Sequence, residues 1–360
     1  MTDATPLKVG VVGLGYAGTT HAESYLGIPG IEVVALAGKE PERLAFLGES
    51  LGIPKLFSDW EDLVALPELD IVSVATPNAL HGPISIAALE AGKHVFCEKP
   101  LAIHADEARR MGEIARANDR VLEVAFNHRR RADVQYLKRY LDDPGIGEIY
   151  HVRATWKRRA GIPGLMSWFT SKSLAGGGAL IDLGPHVLDI VLFLLGEPRV
   201  TTASAAAHGA LGRAGYGAMD KGAQFAGGHA SFEVEDLASA LLRTDRGQSI
   251  QYEISWAGHT VDDEDISIEL LGVEGGARIL VKRYATDGTL TIYRDINGEQ
   301  ADIVPAVHVV DKGHPTVIAE FIDIVRSGDW AEHHGDTAVH RTEIIDACYE
   351  SARLGREVAI

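Results

Sequence analysis

The 360-residue chain holds only two cysteines, Cys97 and Cys348. Two thiols cannot build a disulfide framework, so the fold must rest on buried apolar groups. Positive charge is also scarce: 34 Lys and Arg stand against 51 Asp and Glu, a formal net charge of −17. That balance excludes a general nucleic-acid or anionic-membrane surface, and an anionic ligand would need a local basic patch. Long apolar runs are absent. The nearest, Val187 to Leu195, is interrupted by Asp189 and stops at Gly196, short of the roughly 18 residues needed to cross a bilayer. The start Met1-Thr2-Asp3-Ala4 has neither the basic nor the apolar region of a secretion signal, so a cytoplasmic location is expected. No internal repeat or block of like charge stands out.

What is present is enough apolar material, 46% of the residues, to fill more than one core at this length. Two domains are expected: a dinucleotide-binding α/β domain over 1–126 and a mostly antiparallel α+β domain over 127–360. The first begins with Leu7 to Val12, a buried strand, followed directly by Gly13-Leu14-Gly15-Tyr16-Ala17-Gly18 and a helical stretch to Leu26. A strand, a Gly-x-Gly-x-x-Gly turn and a helix form a dinucleotide-binding fingerprint, in which phosphates meet backbone N–H groups at the positive helix end. The second strand ends about 20 residues later, where an NAD enzyme carries an acid for the ribose 2′-hydroxyl. Here Gly38 and Lys39 stand there. A lysine without the acid suits a 2′-phosphate, so NADP(H) is favoured and NAD(H) is possible; Glu40 is the alternative acid.

Asp70 to Ala75 reads as another buried strand, closed by Thr76-Pro77-Asn78 and a helix from about Leu80 with His81 in its first turn. Asn78 can cap that helix, while the position at a strand's carboxyl end makes the turn a candidate cofactor lining. Gly92 to Cys97 gives the next strand, and Glu98-Lys99-Pro100 its end. Glu98 and Lys99 place a carboxylate and an amine at the ligand end of the sheet, with Pro100 restricting the backbone; Cys97 reads as a buried small apolar residue. Far downstream, Asp182 and His186 follow Gly176-Gly177-Gly178 at i, i+4 spacing. On one helix that spacing puts both on one face, where His186 can exchange a proton near neutral pH.

These motifs resemble the Gfo/Idh/MocA oxidoreductases, the family of glucose-fructose oxidoreductase and inositol 2-dehydrogenase. The resemblance continues through Phe126-Asn127-His128-Arg129-Arg130, through Gly176 to His186 with Asp189, and through Ile345 to Ala352. It implies hydride exchange between a nicotinamide and a secondary alcohol or ketone of a sugar, polyol or derivative, with Lys99, Asp182 and His186 catalytic and no metal. It further implies that Glu98 touches the nicotinamide ribose and that Asn127 and Arg129 lie near the nicotinamide. Lys99, Asp182 and His186 would also bind substrate. Trp156, Arg158 and Trp168 are candidate pocket walls, or core and surface packing. Asp189 would orient His186 or serve structure. Related activities on this fold leave an NAD-dependent glycosidase and a non-catalytic cofactor-binding regulator as alternatives.

The second domain is expected to be a meandering sheet built from Gly147 to Trp156, Leu237 to Arg243, Ser249 to Ser255, Ser267 to Leu271, Ala277 to Val281 and Leu290 to Tyr293, ending in helices over Pro315–Ser327 and Thr337–Leu354. The resemblance implies a homodimer or homotetramer formed through an exposed apolar sheet face. Ala203 to Gly228 reads as a long loop over the substrate or as an ordinary insertion, and His333-His334 as a solvated loop.

Overall fold

A computed structural model describes residues 6–143, 145–165, 167–219, 232–260, 262–310 and 313–360. The chain divides into two compact units, Met1–Asn127 with Lys312–Thr342, and His128–Asp311 with Glu343–Ile360. The segment Lys312–Thr342, expected in the second domain, packs in the first. The reason is apolar: Val317, Ile318, Phe321, Ile322 and Val325 recur along the helix Gly313–Ser327 and share a core with Val9, Val11, Tyr25 and Phe96. Phe321 meets Phe96 at a centroid distance of 5.2 Å. A stripe at three- and four-residue spacing marks a buried helix face but cannot tell which sheet it will cover.

The first unit is a six-stranded parallel sheet in the order β3-β2-β1-β4-β5-β6, with β1 Leu7–Val12, β2 Ile31–Ala37, β3 Lys55–Phe57, β4 Ile71–Val74, β5 His94–Cys97 and β6 Leu122–Val124. This is the doubly wound dinucleotide-binding topology, whose ligand crevice lies beyond the carboxyl ends of the strands. All of β4 and β5 is buried because helices cover both faces. The helix Ala105–Ala117 shows how sequence sets such an element. Ala105, Ala108, Met111, Gly112 and Ala115 form its buried stripe, Asp106 and Glu107 sit in the first turn and Arg116 in the last, matching the helix dipole. Beyond its cap at Asn118, Asp119 turns the chain with φ of 50°.

The second unit carries a nine-stranded sheet in the order β14-β13-β12-β11-β7-β10-β9-β8-β15. Its strands are β7 Ile149–Arg158, β8 Val200–His208, β9 Leu237–Thr244, β10 Ser249–Ser255, β11 Glu264–Gly272, β12 Gly275–Lys282, β13 Leu290–Ile296, β14 Glu299–Ile303 and β15 Val358–Ala359. All pairs are antiparallel except β10 with β7. Alternate residues such as Val152, Ala154, Ile250, Tyr252, Ile266 and Ile268 are buried, the period-two pattern of a sheet with one packed face. The other face is not the apolar surface expected. Arg153 bonds to Glu269 at 2.7 Å across it, with Gln251 and Arg243 exposed nearby, and Tyr150 and Leu241 are its exposed large apolar groups.

The expected loop from Ala203 is also different: Val200–His208 pairs with β9 and β15, and Ala210–Arg213 is a short helix. Alanines pass for loop residues in composition yet fit where strand pairing supplies the order. The part of that expectation over 220–228 lies outside the described residues. Among the described residues no single helix is long and apolar enough to cross a membrane; the most apolar, Gly184–Leu194, is a core helix with ten of its positions buried.

Candidate active site

In the first unit the predicted cofactor residues gather at the carboxyl ends of the strands. Gly13 has φ of 112°, and a Cβ there would stand 2.1 Å from Ala75 O; on Gly18 it would stand 2.0 Å from Gly13 O. A Cβ on Gly15 would meet nothing within 4 Å. The helix Tyr16–Leu26 starts there with no side-chain cap and no acid in its first turn. Its N–H groups are thus offered to an anion. Tyr16 is 80% exposed beside them, and Ala17 is half-buried. Thr76 Oγ1 is buried with no partner among the described residues. An open glycine, an uncapped helix start and an orphaned hydroxyl fit a bound dinucleotide.

Gly38 has a packing cause: a Cβ would lie 2.3 Å from Leu14 Cγ. Lys39 forms an ion pair with Asp59, both exposed, and the contact raises the lysine and lowers the acid. An acid therefore does stand at this corner, contributed by the segment after β3. Arg43, absent from the sequence expectations, braces the fingerprint with Nη2 donating to Thr19 Oγ1 at 3.1 Å and Nε to Leu14 O at 3.3 Å.

Pro77 precedes a 3-10 turn, Asn78–Leu80, ahead of the helix His81–Glu90. Asn78 is buried at the start of that turn and is not the expected helix cap. His81 lies between Pro100 O at 2.6 Å and Thr76 O at 2.9 Å, tying two strand ends together. Burial pushes its pKa below the ordinary value despite both carbonyls. Lys99-Pro100 is cis, and Lys99 N–H donates to Glu98 Oε2 at 3.1 Å. Cys97 is buried, as expected, and burial pushes its thiol up. Glu98 Oε1 meets His21 and His314, two residues the motifs did not single out. Asn127 faces His314 at 3.4 Å. His333 bonds to Glu123 at 2.7 Å, and His334 is buried beside Leu122. Both belong to the packed returning segment, and neither forms a solvated loop.

The second unit assembles the downstream residues. Asp182 and His186 are not on one continuous helix: Ala179–Asp182 ends at Leu183 and Gly184–Leu194 begins, with a 44° bend. Asp182 Oδ2 accepts Trp256 Nε1–H at 2.8 Å. His186 is buried among rings, His128 at 4.6 Å and Trp156 at 5.9 Å between centroids. Trp156 Nε1–H and Arg158 Nε–H both donate to Glu264 Oε1, at 2.7 and 2.8 Å, and Arg158 lies over the Trp156 ring. Burial alone would lower Arg158; Glu264 and Asp182 outweigh it and raise the guanidinium's pKa. Trp168 stacks on Phe169. Asp189, fully buried, takes both Nε and Nη2 of Arg129.

The glycine run has a local cause. A Cβ on Gly177 would lie 1.9 Å from Tyr349 Oη, and on Gly178 1.9 Å from Glu235 O. The buried Glu235 carboxylate accepts N–H from Gly178 and Leu180, both at 2.9 Å, and the Tyr349 hydroxyl at 2.9 Å. It caps the helix start that carries Asp182. Burial raises its pKa against those donors. Glu235, Trp256 and Glu264 carry no sequence signal of their own, because their roles arise from strand pairing.

Comparison with known proteins identifies the family. Residues 7–126 match the model of the oxidoreductase family with an NAD-binding Rossmann fold, and 134–278 match the Gfo/Idh/MocA C-terminal domain. D-glucoside 3-dehydrogenase of Escherichia coli (strain K12) is 30% identical over 99% of this chain and 98% of its own. Levoglucosan dehydrogenase of Pseudarthrobacter phenanthrenivorans is 37% identical over 53% of this chain and 52% of its own. The solved structure of levoglucosan dehydrogenase in complex with NADH superposes with a TM-score of 0.84 at 26% identity, covering 99% of both chains. The chain belongs to the Gfo/Idh/MocA family of NAD(P)-dependent oxidoreductases.

Proposed function

We propose that the protein oxidises a secondary hydroxyl of a cyclic sugar, glycoside or polyol reversibly, with Lys99, Asp182 and His186 as the catalytic residues. The observation that carries the reading is the second-unit cluster, in which a buried imidazole and a carboxylate share a lining of tryptophan and arginine. Aromatic faces suit the C–H surface of a sugar ring, and Asp182 holds a hydroxyl. His186 takes the hydroxyl proton in oxidation and returns it in reduction. Lys99 supplies fixed positive charge for the developing alkoxide. The nicotinamide, when bound, accepts or donates the hydride. Gly13, Gly15 and Gly18 receive its pyrophosphate, Thr76 to Asn78 line the site, and Glu98 meets the nicotinamide ribose.

Relatives named for glucosides, levoglucosan and inositol support a cyclic polyhydroxylated substrate. The finer cofactor reading is tighter binding of NADP(H), with Lys39 and Arg43 as cations for a 2′-phosphate. The Lys39–Asp59 pair and the NADH complex of the relative favour NAD(H) instead, so both are titrated side by side. A homo-oligomer through the nine-stranded sheet is proposed on its uncovered face. The test is a panel of glycosides, anhydrosugars and cyclitols assayed at 340 nm with both cofactors. Substrate-dependent reduction with a keto product supports the reading; hydrolysis without net reduction indicates glycosidase chemistry, and cofactor binding with no turnover indicates a regulator.

A further inference from the structure

The surroundings of Glu98 exceed what the Glu-Lys-Pro motif requires. Its Oε1 faces two imidazoles, His21 Nε2 at 3.1 Å and His314 Nε2 at 3.0 Å, while Oε2 takes the Lys99 N–H at 3.1 Å. His21 is fully buried one turn beyond the fingerprint, and His314 arrives with the returning segment. The second contact of the His314 ring places its proton, and that of the His21 ring is compatible with the same tautomer. Asn127 Nδ2 can only donate and faces His314 Nδ1 at 3.4 Å, so Nδ1 accepts and the ring proton sits on Nε2, toward Glu98. Ser73 Oγ lies 2.9 Å from His21 Nδ1 and can donate in the same sense. Burial alone would push the Glu98 carboxyl up; the bonds from His21 and His314 outweigh it and hold the carboxyl well below the usual range. The same three residues are close enough to hold an ion, but distances of 3.0 and 3.1 Å between nitrogen and oxygen are those of a shared proton.

We propose that His21 and His314 are positioning residues for Glu98: paired Nε2–H donors that occupy Oε1, keep the carboxylate ionised inside the protein and leave Oε2 as its remaining acceptor for a ligand hydroxyl. The proposal rests on the reading that Glu98 meets the cofactor ribose. Glutamine carries its amide N–H at a reach similar to imidazole Nε2, whereas leucine fills space without a donor. In full-length protein, His21→Leu and His314→Leu should each weaken NADH binding, followed by fluorescence, about tenfold, the scale of one charge-assisted hydrogen bond. His21→Gln and His314→Gln should stay within about threefold of wild type, and in a Glu98→Gln background the leucine changes should lose their effect. Long-range proton–nitrogen NMR at pH 7 should show both rings protonated at Nε2. Equal losses in the Leu and Gln variants, an Nδ1–H tautomer in either ring, or one equivalent of zinc that disappears in His21→Leu would overturn the proposal. Failure of the broader functional reading is separable, because it appears as intact NADH binding and tautomers with no sugar turnover.

Discussion

Trp256 ties a residue that no motif marks to one that the sequence singles out. Its Nε1–H is a donor to the Asp182 carboxylate, and a hydrogen bond to a charged group contributes about 1.5–3 kcal/mol. Trp256→Phe keeps an aromatic ring and removes the donor together with part of a fully buried side chain; catalytic efficiency should fall about tenfold to a hundredfold, with a separate loss of stability from the cavity. A variant with unaltered kinetics would remove Asp182 from the substrate reading. Glu235→Ala should behave differently, because it strands buried N–H groups of Gly178 and Leu180 and the Tyr349 hydroxyl. A loss of about 3 kcal/mol is expected in urea unfolding, with activity falling as the helix start loosens. Gly18→Ala drives a methyl to 2.0 Å from Gly13 O, and should abolish cofactor binding at the fluorescence titration.

The fingerprint glycines, Glu98, Lys99, Asp182 and His186 are the residues that sequence alone singles out as candidates, because each follows a strand or a glycine run that periodicity marks. Their partners are not. Glu235, Trp256 and Glu264 lie on or beside β9, β10 and β11, and His314 on the helix Gly313–Ser327; each reaches its partner only through strand pairing or helix packing that no local motif marks. Gly38 has a packing cause that sequence does not show, the Leu14 side chain, and the Asp59 paired with Lys39 comes from a segment the motif does not include.

At the scale of elements, strands announced by continuous apolar runs or clean alternation were readable, and β8, with its small residues, was not. The helix Gly313–Ser327 was readable as a helix but not as part of the first unit, since periodicity names a face without naming its partner. Phe321→Ala should therefore cost about 3–5 kcal/mol and weaken cofactor binding together with the first unit's stability. Strand β5 supplies a pH test. His94 is buried at its start, accepts Val121 N–H at Nδ1 and packs edge-on against Trp330; burial and then Arg120 push it down to about 4. The folded form binds fewer protons than the unfolded chain between about pH 6.5 and 4, so stability falls on acidification through that window. His94→Gln should flatten the fall by about 2 kcal/mol between pH 7 and 4, measured by urea unfolding at each pH.

For the whole molecule, the acidic balance makes a diffusing neutral sugar a better partner than an anionic polymer, and the partly polar sheet face bears on assembly. Light scattering behind size exclusion should give a dimer or tetramer; a monomer at micromolar concentration would end that reading. The most direct measurement is steady-state turnover at 340 nm with the best sugar of the panel in wild type, Lys99→Met and His186→Ala, alongside cofactor titration of each. Turnover should fall at least about 100-fold in both variants while the cofactor dissociation constant stays within about threefold, and near-normal turnover in either variant would contradict the assignment.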